Sequence, residues 1–197
     1  MQQLVPKMTN EFPHRKPTRY KDYDYSLPGY YFITICSHEM KHLFGCVNNC
    51  KMIPNDSGAI INNCWNEIPN HFKDVESDYY QLMPNHFHGI VIINSPIENA
   101  GDGLPIFKDN SQFVGNANFA FPTDRTKMIL SKVVQQFKRQ VTIEIKTKNK
   151  LNEPVWQKSF YDHVIRNEKE LYEIRKYIEQ NPLKWDFEKN VPGNLFI

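Results

Sequence analysis

The chain has 197 residues, which is enough for one domain with a sizeable core and some appendages. Hydrophobic residues at 40% and charged residues at 23% are ordinary for a soluble globular protein, and no apolar run approaches membrane-spanning length. A net charge of +2 does not by itself announce a nucleic-acid partner. The N-terminus lacks a charged-then-apolar signal pattern, so a cytosolic protein with reduced thiols is expected.

Residues 1–25 hold Pro6, Pro13 and Pro17 among Arg15, Lys16, Arg19 and Lys21, and read as an extended basic arm. The run Tyr30 to Cys36 is a strand candidate introduced by a Pro28-Gly29 turn, and a second short strand is expected from Leu43 to Val47. Four cysteines stand at 36, 46, 50 and 64, and only Cys46 and Cys50 are closely spaced. A structural zinc site needs a second close pair, so none is expected.

Asn55 or Asp56 can cap a helix carrying Ile60, Ile61, Cys64, Trp65 and Ile68 at helical spacing, with Pro69 bending or ending it. Segments 76–83 and 86–93 read as two strands of a hairpin joined by Pro84-Asn85. Residues 94–124 show little periodicity and read as a long variable loop. The next helix repeats Ile129, Val133, Phe137, Val141 and Ile145 every fourth residue.

Around that helix, Arg125 to Lys150 hold eight Lys or Arg against one acid, Glu144. Such a stripe is either a solvated helix face or the footprint of a phosphate-backbone binder. Lys132, Lys138 and Arg139 are its candidate contacts, together with Arg15, Lys16 and Arg19 of the arm. A last strand is expected over Val155 to Tyr161. In the final helix Asn167 is the N-cap and Glu170 its capping-box partner. Leu171, Ile174 and Ile178 form the buried stripe, and Pro182 is expected to end the helix at Asn181.

Strand, helix, two hairpin strands, helix, strand is the split β-α-β order of an α+β, ferredoxin-like fold. Its antiparallel sheet carries helices on one face, with the C-terminal helix added.

Chemistry concentrates in His86-Phe87-His88. On a strand, residues i and i+2 share a face, so the two imidazoles project together while Phe87 points into packing. Two neutral imidazoles are half of a divalent-metal site. On the last helix Tyr177 and Asn181 are four apart and share a face. Taken alone, Tyr177 reads as a packing tyrosine and Asn181 as a helix-end residue. If that face docks on the histidine strand, the site gains an amide oxygen and a phenol, and open positions remain for a substrate oxygen.

Four stretches carry a resemblance. They are Asp24-Tyr25-Ser26 with Gly29 to Cys36; Met83-Pro84-Asn85-His86-Phe87-His88-Gly89-Ile90; Trp156 to Glu168; and Ile174 to Trp185, which includes Tyr177-Ile178-Glu179-Gln180-Asn181-Pro182. Over most of residues 20–187 the chain resembles the REP-associated tyrosine transposases, a branch of the IS200-like single-tyrosine HUH transposases. Residues 94–124 match nothing in that pattern. The resemblance implies an HUH transposase domain over 26–187, between the arm at 1–25 and a tail at 188–197.

It further implies that His86 and His88 bind a divalent metal, Mg²⁺ or Mn²⁺, and that Tyr177 is the nucleophile. Asn181 falls at the third ligand, where some relatives have glutamine. The implied reaction cleaves and rejoins single-stranded DNA beside a hairpin through a 5′-phosphotyrosine, by a monomer or a homodimer. A phenol with a pKa of about 10 is mostly protonated at neutral pH, and no general base is evident in the sequence. The alternative within this fold is a catalytically silent DNA- or RNA-hairpin binder. A zinc hydrolase built on His86 and His88 fits poorly, because Gly89-Ile90-Val91 follows instead of further ligands. A replication initiator would share the chemistry, though the Asn-Pro-x-x-Trp ending suits the transposase branch.

Overall fold

The structure is a computed structural model that describes residues 27–94, 128–149 and 153–188. Arg15, Lys16 and Arg19, with the rest of the expected arm, lie outside the described residues, as do the 94–124 segment beyond Asn94 and the tail after Glu188.

The elements run β1 (Gly29–Cys36), β2 (Gly45–Asn48), β3 (Lys51–Pro54), α1 (Asp56–Asn66), α2 (Ile68–His71), β4 (Val75–Leu82), β5 (His86–Ile93), α3 (Ile129–Asn149), β6 (Tyr161–Ile165) and α4 (Glu168–Glu188). Four strands form one sheet in the order β4-β5-β1-β6, with every neighbouring pair antiparallel. This is the α+β, ferredoxin-like arrangement expected from the element order.

Strand alternation divides the sheet into two unlike faces. Tyr31, Ile33, Ile35, Phe87, Val91 and Ile93 pack with Trp65 of α1 and with Val133, Phe137 and Val141 of α3. Tyr30, Ile90, Ile92 and Ile165 point the other way and pack with Leu171 and Ile178 of α4. The helix that carries Tyr177 therefore has a sheet face of its own.

Three boundaries differ from the expectation. The second strand is Gly45–Asn48, not Leu43–Val47, and it pairs with β3 in a separate two-stranded ribbon. Asn49 and Cys50 turn that ribbon with φ of 49° and 59°, the paired left-handed geometry of a tight hairpin. The last strand is Tyr161–Ile165 rather than Val155–Tyr161. Val155, Trp156 and Phe160 are buried apolar residues, but in the segment before β6 only Trp156 makes a strand-like bridge, to Ser37. An apolar run there reports burial, not pairing.

The third difference is the helix end. The α4 helix continues through Pro182 to Glu188. Proline removes one intrahelical hydrogen bond and costs about 3 kcal/mol in a helix interior. Contacts beyond the proline hold the extension in place. The Asp186 carboxylate accepts the Cys50 amide at 2.9 Å and the Cys50 thiol at 3.6 Å, which ties the helix end to the ribbon turn. At the other end, Asn167 Oδ1 accepts the Glu170 amide at 2.9 Å, as an N-cap should. Glu170 does not complete the capping box. Its carboxylate accepts the Arg166 amide at 2.7 Å and lies 2.6 Å from His163.

Candidate active site

The histidine strand is placed from behind by aromatic packing. Phe87 is fully buried, with ring centroids 4.7 Å from Trp65, 5.3 Å from Phe137 and 5.7 Å from Tyr80. Gly89, on the same face as Phe87, lets the Trp65 ring lie directly on the strand. A Cβ there would sit 2.7 Å from two Trp65 ring carbons. The glycine after His88 is thus a packing requirement of the strand.

His86 and His88 are nearly inaccessible, at 3% and 4% relative exposure. Their ring centroids are 4.6 Å apart. The His86 Nδ1 lies 2.7 Å from Asn85 Oδ1. Asn85 Nδ2 is directed to the Met40 carbonyl at 3.3 Å, so the oxygen is the group that faces the ring. An amide oxygen only accepts, so His86 carries its proton on Nδ1 and keeps the Nε2 lone pair. The His88 Nδ1 lies 2.8 Å from the hydroxyl of Thr34, its register partner on β1. Burial pushes His86 down to about 4, partly offset by the neighbouring Asn181 side chain and reinforced by His42. Burial, then the neighbouring His86, hold His88 well below the usual histidine range. Both rings are neutral near pH 7, the state in which imidazole binds metals.

Residues of α4 complete the cluster. The Tyr177 hydroxyl is 3.5 Å from His88 Nε2, the outer limit of a hydrogen bond. Phe32 stacks on His88 at 5.3 Å and meets Tyr177 edge-on at 6.1 Å, filling the space between strand and helix. Asn181, one turn on, is 7% exposed and lies near enough to His86 to raise its pKa against the effect of burial. Lys184 places its ammonium 4.8 Å from the Tyr177 ring centroid. On the outer side, Arg175 donates Nε and Nη2 to Asp78 Oδ2 at 2.8 and 2.6 Å, pinning the helix to β4. All four residues expected from the sequence, His86, His88, Tyr177 and Asn181, are brought together.

The donor set suits a divalent cation. Two neutral imidazoles, each with Nδ1 held by a protein group, and a buried amide are grouped beside a phenol. Among the described residues no cluster of three or more His, Cys, Asp or Glu could hold a metal, so a third ligand here would have to be an amide or come from substrate.

The expected basic stripe is less coherent. Lys132 and Arg139 are exposed on α3. That helix packs on the sheet face opposite the histidines. Lys138 is differently engaged. Its ammonium donates to the carbonyls of Gln157, Lys158 and Ser159 at 2.6, 3.4 and 3.2 Å, closing the turn before β6. Its charge is spent on backbone oxygens, so the stripe loses its central member as a free phosphate contact. Thr34 and Lys184 were not singled out from the sequence. Thr34 could have been, as the one aliphatic hydroxyl in the run Tyr30 to Cys36.

No family model matches the chain. It is 35% identical over 173 residues to an uncharacterized protein of Haemophilus influenzae, covering 88% of this chain and 91% of that one. The chain belongs to that protein's family. The fold is also that of a REP-associated tyrosine transposase solved bound to a REP hairpin. That superposition has a TM-score of 0.53 at 18% identity and covers 87% of this chain and 76% of the other. Among the described residues, no helix is long and apolar enough to cross a membrane.

Proposed function

We propose that this protein is a metal-dependent tyrosine transposase that cleaves and rejoins single-stranded DNA beside hairpins. The observation that carries the reading is the meeting of the Tyr177 hydroxyl with His88 Nε2 at 3.5 Å, between residues 89 positions apart. The buried Asn181 beside His86, one helical turn away, supports it. A buried core needs no phenol and amide converging on two uncharged imidazoles; a phosphoryl-transfer site does.

In this reading His86, His88 and Asn181 hold a Mg²⁺ or Mn²⁺ ion. When bound, the ion supplies Lewis-acid stabilisation of charge on the phosphate oxygens. The Tyr177 oxygen attacks the scissile phosphorus. The bond from phosphorus to the 3′ oxygen breaks, and the phenol proton is lost as the departing 3′ oxygen gains one. The product is a 5′-phosphotyrosyl protein and a free 3′-hydroxyl. A second 3′-hydroxyl reverses the step, joining DNA with conservation of the phosphodiester bond energy. Lys184 is placed to stabilise negative charge developing on the phenol. The fold neighbour's bound hairpin supports a hairpin substrate for this chain also.

Incubation with labelled single-stranded hairpin DNA from the flanks of its own gene tests the reading. A covalent protein–DNA adduct is expected in Mn²⁺ or Mg²⁺, absent with EDTA and absent for Tyr177→Phe, with hairpin binding by the variant nearly intact. Adduct formation by Tyr177→Phe would move the nucleophile elsewhere. Adduct formation in EDTA would reject the metal.

A further inference from the structure

Trp185 is an aromatic residue that the core does not use. The other two tryptophans are interior, Trp65 at 0% and Trp156 at 7% relative exposure, and Trp65 sits among Tyr80, Phe87 and Phe137. Trp185 is half-buried and belongs to neither hydrophobic cluster. Its ring neighbours are two histidines, His86 at 5.8 Å and the exposed His42 at 5.4 Å. The ring planes meet at 46° and 58°, so neither imidazole lies flat on the indole and covers its face.

Position strengthens the case. Tyr177, Asn181, Lys184 and Trp185 follow one another at helical spacing along one stripe of α4. The indole lies eight residues beyond the phenol, an axial distance of about 12 Å. The helix reaches it only by running through Pro182, and the Asp186–Cys50 contact holds the residues immediately beyond. The fold thus maintains a costly helical extension that carries an indole beside one of the paired histidines. The adjacent Lys184 is exposed and presents a cation at the same opening.

We infer that Trp185, flanked by His42, is a stacking surface for one unpaired nucleobase next to the cleaved phosphate. The inference rests on the DNA-cleaving reading and adds a specific contact to it. Flat π-faces beside a cation suit a base and its phosphate, whereas an apolar protein partner would be met here by a lysine and a histidine. Aromatic stacking holds any base, at about 1–3 kcal/mol each. That corresponds to roughly 5- to 150-fold in affinity.

The test uses the full chain with Tyr177→Phe, in EDTA, so that nothing is cleaved. The probe is a hairpin oligonucleotide with unpaired flanks taken from DNA beside its gene, and a set of copies each with one abasic position in the flanks. Binding is expected to quench tryptophan emission. One abasic copy should lose most of that quench and bind about 5- to 150-fold more weakly. Trp185→Leu should weaken the parent oligonucleotide to a similar degree but bind the critical abasic copy no worse than the unsubstituted protein does. Trp185→Phe, which keeps a π-face and the packing on His86, should retain most of the affinity. Losses that simply add, or a quench indifferent to every abasic position, would overturn the stacking role while leaving the DNA-cleaving reading intact. Failure of every oligonucleotide to bind would overturn both.

Discussion

Thr34→Val is the sharpest probe of how the histidine pair is held. The substitution keeps shape and volume close to the parent and removes one hydroxyl. That hydroxyl lies 2.8 Å from His88 Nδ1, in a place where Thr34 is 7% and His88 4% exposed. Water cannot readily replace it, so an imidazole nitrogen is left unsatisfied in the interior. Such a loss costs about 1–3 kcal/mol of stability. If His88 is a ligand, the larger effect falls on metal binding, because the ring loses the contact that orients it. Partners of that kind typically contribute about 10- to 100-fold in metal affinity. Mn²⁺ titration followed by electron paramagnetic resonance, with urea unfolding in parallel, separates the two effects. Thr34→Ser keeps the hydroxyl and is expected to hold Mn²⁺ much more tightly than the valine variant. A valine variant that loses stability yet binds Mn²⁺ as the parent does would refute the claim that Thr34 prepares a ligand, and would reduce it to an ordinary buried hydrogen bond.

Three further outcomes follow from the geometry. In the metal-free protein, His86 takes up a proton only near pH about 4, whereas an unfolded histidine does so near 6.5. Stability from this residue is therefore fully present above about 6.5 and is lost as pH falls toward 4, a change on the order of 3 kcal/mol. Urea unfolding across that window should show the decline, and His86→Gln should make it shallower, with the remainder coming from the likewise depressed His88. Lys138→Met should cost about 1–3 kcal/mol of stability, because carbonyls now served by a charged donor lose it. A change confined to the salt dependence of DNA binding would instead return Lys138 to the phosphate-contacting stripe. Gly89→Ala should destabilise by about 1–3 kcal/mol, since the new methyl meets a Trp65 ring with no room to retreat. Thermal unfolding reads it directly, and an unchanged midpoint would mean the strand shifts at little cost.

Much of the arrangement was legible because it rests on short-range periodicity. The β5 strand spans His86–Ile93 as read from its β-branched run. The period of two then put both imidazoles on one face, with Phe87 on the other. The α3 seam Val133, Phe137, Val141 and Ile145 is buried as its spacing implied. Asn167 caps α4, and Asn55 accepts the Gly58 amide at 3.0 Å to cap α1. Of what depended on partners distant in sequence, the meeting of Tyr177 with the histidines was indicated by the resemblance, and the rest was not legible. Lys138 looked like one charge among eight, and only the path of residues 157–159 over its ammonium shows that it serves the backbone. The strand shift from Val155 to Tyr161 has the same origin, since Trp156 meets Phe44 and Phe137 in the core without joining a ladder.

Pro182 shows why this limit bears on function. A local rule ends the helix at Asn181, and at the level of propensity that rule is sound. Had it held, the two residues expected to serve chemistry, Tyr177 and Asn181, would still reach the histidines, and the site would look complete. The helix instead continues for seven further residues, to Glu188, secured by the Asp186 carboxylate on the ribbon turn at Cys50. The ribbon is the element whose boundaries the sequence indicated least well, and it is the element that holds the extension. The additional length places Lys184 over the Tyr177 ring and Trp185 against His86. Asp186→Asn would therefore act at a distance from the phenol. It should loosen the turn beyond the proline and weaken any contact made through Trp185, while leaving the Tyr177–His88 approach in place.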